Sequence, residues 1–140
     1  LGKKSRLFDD MLATFSQNWK GDADYYRLLC QQVVMTASVG NAVIVGLGAP
    51  IITKSMANCH HFRLIAEHDF KVASIAKRMK ISKQEAEILV LDRQKERDRV
   101  IRKLLDADEQ APLLYHAIFN NGKIKSRQIA RIISEHVLTG

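Results

Sequence analysis

The residues best suited to chemistry lie in one run, Asp92-Arg93-Gln94-Lys95-Glu96-Arg97-Asp98-Arg99, which contains no apolar side chain. On a helix, Arg93 and Arg97 share a face, as do Lys95 and Arg99, and like charges four residues apart mildly destabilise a helix. An anion relieves that repulsion. Guanidinium groups suit phosphates because they bind bidentately and keep their charge, so an arginine cluster over a phosphoryl group is a rational clamp. A second account has Asp92, Glu96 and Asp98 neutralise their neighbours on a solvated face, and the residues alone leave both open. Cys59-His60-His61 are metal-ligating types, but adjacent strand residues point to opposite faces and four-ligand spacing is absent, which argues against a metal site. Catalytic use of Cys30 or Cys59 with a histidine is disfavoured because both lie in segments that read as buried. A third candidate is Gly46-Leu47-Gly48, where glycines let a backbone approach a ligand closely.

Several elements must position these groups. Leu7, Phe8, Met11, Leu12 and Phe15 form one helical stripe ending near Lys20-Gly21. Asp22 is a plausible cap for a helix burying Tyr25, Leu28, Leu29, Val33, Val34 and Ala37, with Gly40 at its end. Ala42-Val43-Ile44-Val45 is unalternating and largely β-branched, which predicts a strand covered on both faces in a parallel sheet. It ends in the glycine loop, and ligands of open α/β sheets bind at such carboxyl ends. His60 to Ala66 reads as a second strand, followed by a helix capped by Asp69 and burying Phe70, Ala73, Ile75, Ala76 and Met79. Ser82 and Glu85 form a Ser-x-x-Glu capping box, with Ile81 and Ala86 as a modest staple. The helix they start carries the charged run, about 12 Å of helix at roughly 1.5 Å per residue with nothing to bury. Pro112 to Phe119 predicts a short helix, Asn120-Asn121-Gly122 a turn, and Ser126 the cap of a last helix whose inner side is Ile129, Ala130, Ile132, Ile133 and Val137.

At 140 residues, with 46% hydrophobic and 26% charged side chains, the chain is one ordinary globular domain, and intrinsic disorder is excluded as its main state. The two cysteines read as free thiols in a reducing, cytoplasmic setting. The longest apolar stretch, Asn41 to Thr53, is interrupted by Gly46, Gly48 and Pro50 and is shorter than the roughly 20 residues of a membrane span. Leu1 in place of Met suggests a fragment or processed product. Of the formal charge of +7, nearly all comes from Lys71 to Lys103, with eleven basic and five acidic residues. That field favours a phosphate-bearing partner. A nucleic-acid surface is the weaker option, because aromatic residues are not interleaved with the charges.

Taken in order, Gly40-Asn41-Ala42-Val43-Ile44-Val45-Gly46-Leu47-Gly48-Ala49-Pro50, Phe62-Arg63-Leu64-Ile65-Ala66, Ile81-Ser82 through Glu87, Arg93 to Lys103, Pro112-Leu113-Leu114-Tyr115 and Phe119-Asn120-Asn121-Gly122 resemble the cytidylate kinase-like family of P-loop nucleotide kinases. The likeness covers roughly Asp22 to Val137. It implies an incomplete three-layer α/β P-loop kinase-like fold, mostly helical, with about two parallel strands in this chain. It also implies one domain over 1–140 with a lid-like segment at 82–105. The family's first strand and phosphate loop would precede Leu1, so the isolated chain is expected to be inactive; Gly2-Lys3-Lys4-Ser5 only echoes the end of such a loop.

The implied reaction moves the γ-phosphoryl of ATP, with Mg2+, to a nucleoside monophosphate such as CMP or dCMP. By the same likeness Arg97 is the lid arginine, with Arg93 and Arg99 supporting it, while Gly46, Leu47, Gly48 and Lys95 bind nucleotide. Leu47 stands where the family has arginine, Gln94 where it has an acid, Lys95 where it has arginine and Asn121 where threonine is usual. These departures keep a kinase-derived nucleotide- or protein-binding module open beside the enzyme. An incomplete sheet with an open edge also points to a homo-oligomer.

Overall fold

The computed structural model describes residues 22–46, 48–105, 108 and 110–139. The predicted stripe from Leu7 to Phe15 lies outside the described residues, as does Leu47. In chain order the elements are helix α1 (Asp22–Val39), the single turn α2 (Ala49–Ile52), strand β1 (Phe62–Ile65), helices α3 (His68–Met79) and α4 (Lys83–Leu105), a 3-10 turn (Pro112–Leu114), strand β2 (Ala117–Asn120) and helix α5 (Ser126–Thr139). The described chain is mostly helical, with two parallel strands in an open sheet, as an incomplete α/β fold of this kind requires.

The strands pair with Phe62 opposite Ala117 and Ile65 opposite Asn120. Backbone bonds prolong the pairing at both ends, from His116 N–H to the His61 carbonyl (2.7 Å) and from Asn121 N–H to the Ile65 carbonyl (2.8 Å). α3 and α4 form the connection between the strands and pack on each other. Val72 and Ala86 are buried on these two helices. The predicted helix over Pro112 to Phe119 is corrected: proline starts a 3-10 turn, and Ala117 onward is drawn into the ladder beside β1. Tertiary pairing overrides local propensity there. Asn120 ends the strand by accepting the Gly122 N–H on its side chain at 3.0 Å.

The predicted strand Ala42 to Val45 is also corrected. Gly40 and Asn41 both have positive φ, 75° and 52°, a left-handed turn that stops α1. The residues that follow are irregular and solvent-facing, Val43 at 93% exposure and Val45 at 83%. No described strand lies beside them, so the β-branched run has no ladder to join. The strand paired with β1 is β2 instead.

Smaller differences concern caps and inner faces. α1 buries Tyr26, Val33 and Ala37, whereas Val34 is exposed. α3 is capped at Glu67 with Asp69 in its first turn, and Val72 is its buried residue, while Phe70 and Met79 are exposed. The Ser82 capping box is made: Ser82 N–H and Oγ both donate to Glu85 Oε2, at 2.8 and 2.7 Å, and Glu85 N–H donates to Ser82 Oγ at 3.2 Å. Ser126 is not a cap: its hydroxyl donates to Asn121 Oδ1 at 3.0 Å, and the first amides of α5 reach the Lys125 carbonyl. Ile129 is the buried anchor of α5, with Ile132 and Val137 partly exposed.

Candidate functional site

The capping box and Ala86, fully buried, root α4, and 23 residues carry the helix out from that root. Arg93, Lys95, Arg97 and Arg99 are all exposed, as an all-polar stretch with nothing to bury must be. Leu89, Asp92, Arg93, Glu96 and Arg97 line a solvent-open concavity of about 580 Å³. Arg93 and Arg97 are therefore brought together on one wall, as their spacing implies. Lys95 and Arg99 do not line it, and neither do Gly46 and Gly48. Two guanidinium groups interleaved with two carboxylates give this wall little net charge, so its chemical offer is directional hydrogen bonding as well as attraction.

Within this wall the residue that the charge pattern undervalued is Gln94. It is half-buried, and its amide bridges two neighbours: Arg97 Nη2 donates to Gln94 Oε1 and Gln94 Nε2 donates to Asp98 Oδ1, each at 3.0 Å. As a neutral amide, Gln94 steers the Arg97 fork without neutralising it. The three-and-four spacing from Gln94 to Arg97 and Asp98 was the available signal.

In the glycine segment, Gly46 and Gly48 have φ of 76° and 65°. Around Gly46 there is open space, so glycine serves the left-handed backbone there rather than close packing. The Gly46 carbonyl accepts from Ala49 N–H at 3.1 Å and the Gly48 carbonyl from Ile51 N–H at 3.0 Å, which starts α2.

A different group of residues converges at the start of the sheet. His60 Nδ1 lies 3.1 Å from His136 Nε2, and the rings of His60, His116 and His136 have centroids 5.1 to 5.8 Å apart. His61 is buried, with Nε2 2.8 Å from Thr53 Oγ1, and its backbone N–H donates to His116 Nδ1 at 2.9 Å. Burial lowers the His61 pKa, the neighbouring His116 and His60 rings add to this, and a hydrogen bond to the Leu114 carbonyl offsets part of it. The partners lie up to 76 residues apart, so no local pattern announced them. Cys59, by contrast, donates to Asn58 Oδ1 at 3.9 Å. Both cysteines are free thiols and half-buried, not enclosed as the sequence suggested. Among the described residues, no group of three or more His, Cys, Asp or Glu side chains is arranged to hold a metal ion, and no helix is long and apolar enough to cross a membrane.

In comparison with known proteins, the sequence model of the cytidylate kinase-like family aligns with residues 2–123. No curated protein matches the chain, and no solved structure does. The match takes in the glycine segment, β1, all of α4 with its arginines and β2, and stops before α5. It extends over most of the sequence, and the chain belongs to the cytidylate kinase-like family.

Proposed function

We propose that the protein is a cytoplasmic nucleotide kinase that passes the γ-phosphoryl of ATP, taken as its magnesium complex, to a nucleoside monophosphate of the cytidylate type. The observation that carries this reading is the exposed pair Arg93 and Arg97 on one wall of the α4 concavity, in a chain whose family is defined by nucleotide kinases. Phosphoryl transfer needs little covalent help from protein: an acceptor phosphate oxygen attacks the γ-phosphorus, the bond to the bridging oxygen breaks, and ADP leaves. Stabilising the charge on the transferring oxygens is the protein's task.

Arg97 takes that role, steered by Gln94, with Arg93 and Arg99 holding neighbouring phosphate oxygens and Lys95 adding charge. Residues 82–105 then act as a lid on the single domain, and Gly46, Leu47 and Gly48 lie beside the acceptor nucleotide. Magnesium is taken up with ATP, as the family resemblance implies.

A second reading is a kinase-derived module that binds a nucleotide without turnover. It draws on the concavity being lined by a single helix, with no second wall among its lining residues. One experiment separates the two: ADP formation from MgATP and CMP or dCMP, measured on the protein as its gene encodes it and on Arg97→Ala. Turnover that falls in the variant supports the kinase, and turnover that is unchanged removes Arg97 from the mechanism. Nucleotide-dependent thermal stabilisation with no ADP formed establishes the binding module.

A further inference from the structure

Thr53 and His61 are the buried polar side chains among the described residues, Thr53 at 2% exposure. They face each other: Thr53 Oγ1 lies 2.8 Å from His61 Nε2 and donates to the Ala49 carbonyl, also at 2.8 Å. Thr53 closes α2 at its C-terminal end, its N–H reaching the same carbonyl at 2.9 Å. At the start of that turn the Gly46 carbonyl takes the Ala49 N–H, and the Gly48 carbonyl takes the N–H groups of Ile51 and Ile52. Ala49, Ile51 and Thr53 are all buried, so one face of the short turn is pressed inward. His61 belongs to the sheet: its carbonyl accepts the His116 N–H at 2.7 Å and its own N–H donates to His116 Nδ1 at 2.9 Å, one step before Phe62 pairs with Ala117. A path of hydrogen bonds therefore runs from Gly46 and Gly48 through the turn, Thr53 and His61 to the paired strands.

We propose that Thr53 and His61 are a positioning pair for the acceptor nucleotide: their buried hydrogen bond fixes Gly46 and Gly48 relative to the paired strands. The role rests on the nucleotide reading above, in which these glycines lie beside the acceptor. A four-residue turn is too short to hold itself in water, and open space surrounds Gly46, so the segment needs an anchor elsewhere. Thr53 supplies it from the far end of the turn. Away from water, either partner left alone becomes an unsatisfied polar group, which resists any sliding of the turn over the sheet. Asn58 adds support by donating to the Ala37 carbonyl at 2.9 Å, which ties the link between Thr53 and His61 to the end of α1. Arg93 and Arg97 are carried by α4, which is rooted separately through the Ser82 capping box. The pair therefore acts on the acceptor side and leaves the arginines in place.

Removing the bond should loosen acceptor binding and spare the transfer step. Thr53→Val keeps the side-chain volume, removes the hydroxyl and leaves His61 Nε2 without that partner. The expected result, in the protein as its gene encodes it, is a KM for CMP about fivefold higher, the scale of one buried hydrogen bond, with kcat and the KM for ATP unchanged. Thr53→Ser restores the hydroxyl and should return the KM for CMP to the wild-type value. His61→Gln keeps an amide near the position of Nε2 and should stay close to wild type, whereas His61→Leu should match Thr53→Val. Combining Thr53→Val with His61→Leu should add nothing beyond either change alone, as for two halves of one interaction.

Amide exchange of residues 49–53, followed by mass spectrometry, reads the bond independently of nucleotide and should be faster in Thr53→Val than in Thr53→Ser. Faster exchange with an unchanged KM for CMP overturns the positioning role. A fall in kcat together with a rise in both KM values marks general damage and overturns it as well, and so does an effect that Thr53→Ser shares equally. Where CMP binds without turnover, its Kd takes the place of KM in each comparison. A wild type that neither binds nor turns over CMP refutes the nucleotide reading and this role with it, a result distinct from binding that is indifferent to Thr53. If Thr53→Val does not fold, His61→Gln against His61→Leu carries the same comparison.

Discussion

The α4 arm and the histidine group each gather like side chains, by different means. On the arm, Arg93, Gln94, Arg97 and Asp98 are neighbours because a helix places residues three and four apart side by side. At the start of the sheet, His60, His116 and His136 come from the approach to β1, the approach to β2 and the last turn of α5. The first arrangement exists wherever the helix exists. The second exists only while β1 pairs with β2 and α5 lies against them. A local site tolerates changes in packing as long as its helix survives, whereas a long-range cluster reports directly on tertiary structure.

The largest effect that tests this contrast is chemical. In the protein as its gene encodes it, Arg97→Ala should lower kcat/KM for phosphoryl transfer by about a hundredfold or more, the scale for loss of one donor to a developing anion. It should leave the amide-exchange protection of residues 132–139 unchanged, and a joint loss would mean that the two regions are coupled. Next comes Val72→Ala at the root of the arm, where exposure is 1%. Removing its methyl groups should cost about 2 kcal/mol in urea unfolding.

Ser82→Ala follows, at about 1 kcal/mol of helix stability for a lost N-cap. The cap also depends on acidity. The Ser82 hydroxyl, and then its amide, hold the Glu85 carboxyl below the usual carboxylate range. The cap therefore contributes above the ordinary carboxylate pKa and is lost as pH falls through the lowered value. Circular dichroism across pH 7 to 3 should show an acid-range loss of helix in the wild type that Ser82→Ala lacks, and equal curves for the two would contradict it. The smallest effect is Gln94→Glu, which places a carboxylate three residues before Arg97. It should weaken nucleotide binding by about twofold, the scale of one helix-surface ion pair.

Much of the arm is legible in the order of its residues. The capping box, the start of α4, the solvent exposure of the charged run and the pairing of Arg93 with Arg97 all follow from spacing along one helix. The strands are not legible in the same way. Ala42 to Val45 has strand composition yet no described partner, while Ala117 to Asn120, at the end of a stretch with helical spacing, became a strand because β1 lay open beside it.

A helix satisfies its own backbone, so its start, its faces and its side-chain neighbours are determined by nearby residues alone. This is clearest for α4, whose capping box and charged face follow from spacing alone, whereas the caps of α3 and α5 and part of their inner faces differ from the local pattern. A parallel strand satisfies its backbone only through a segment far away in the chain, and an imidazole that accepts from a distant backbone amide depends on the same pairing. Which apolar run joined the ladder, and which histidines met beside it, were therefore decided by the tertiary structure.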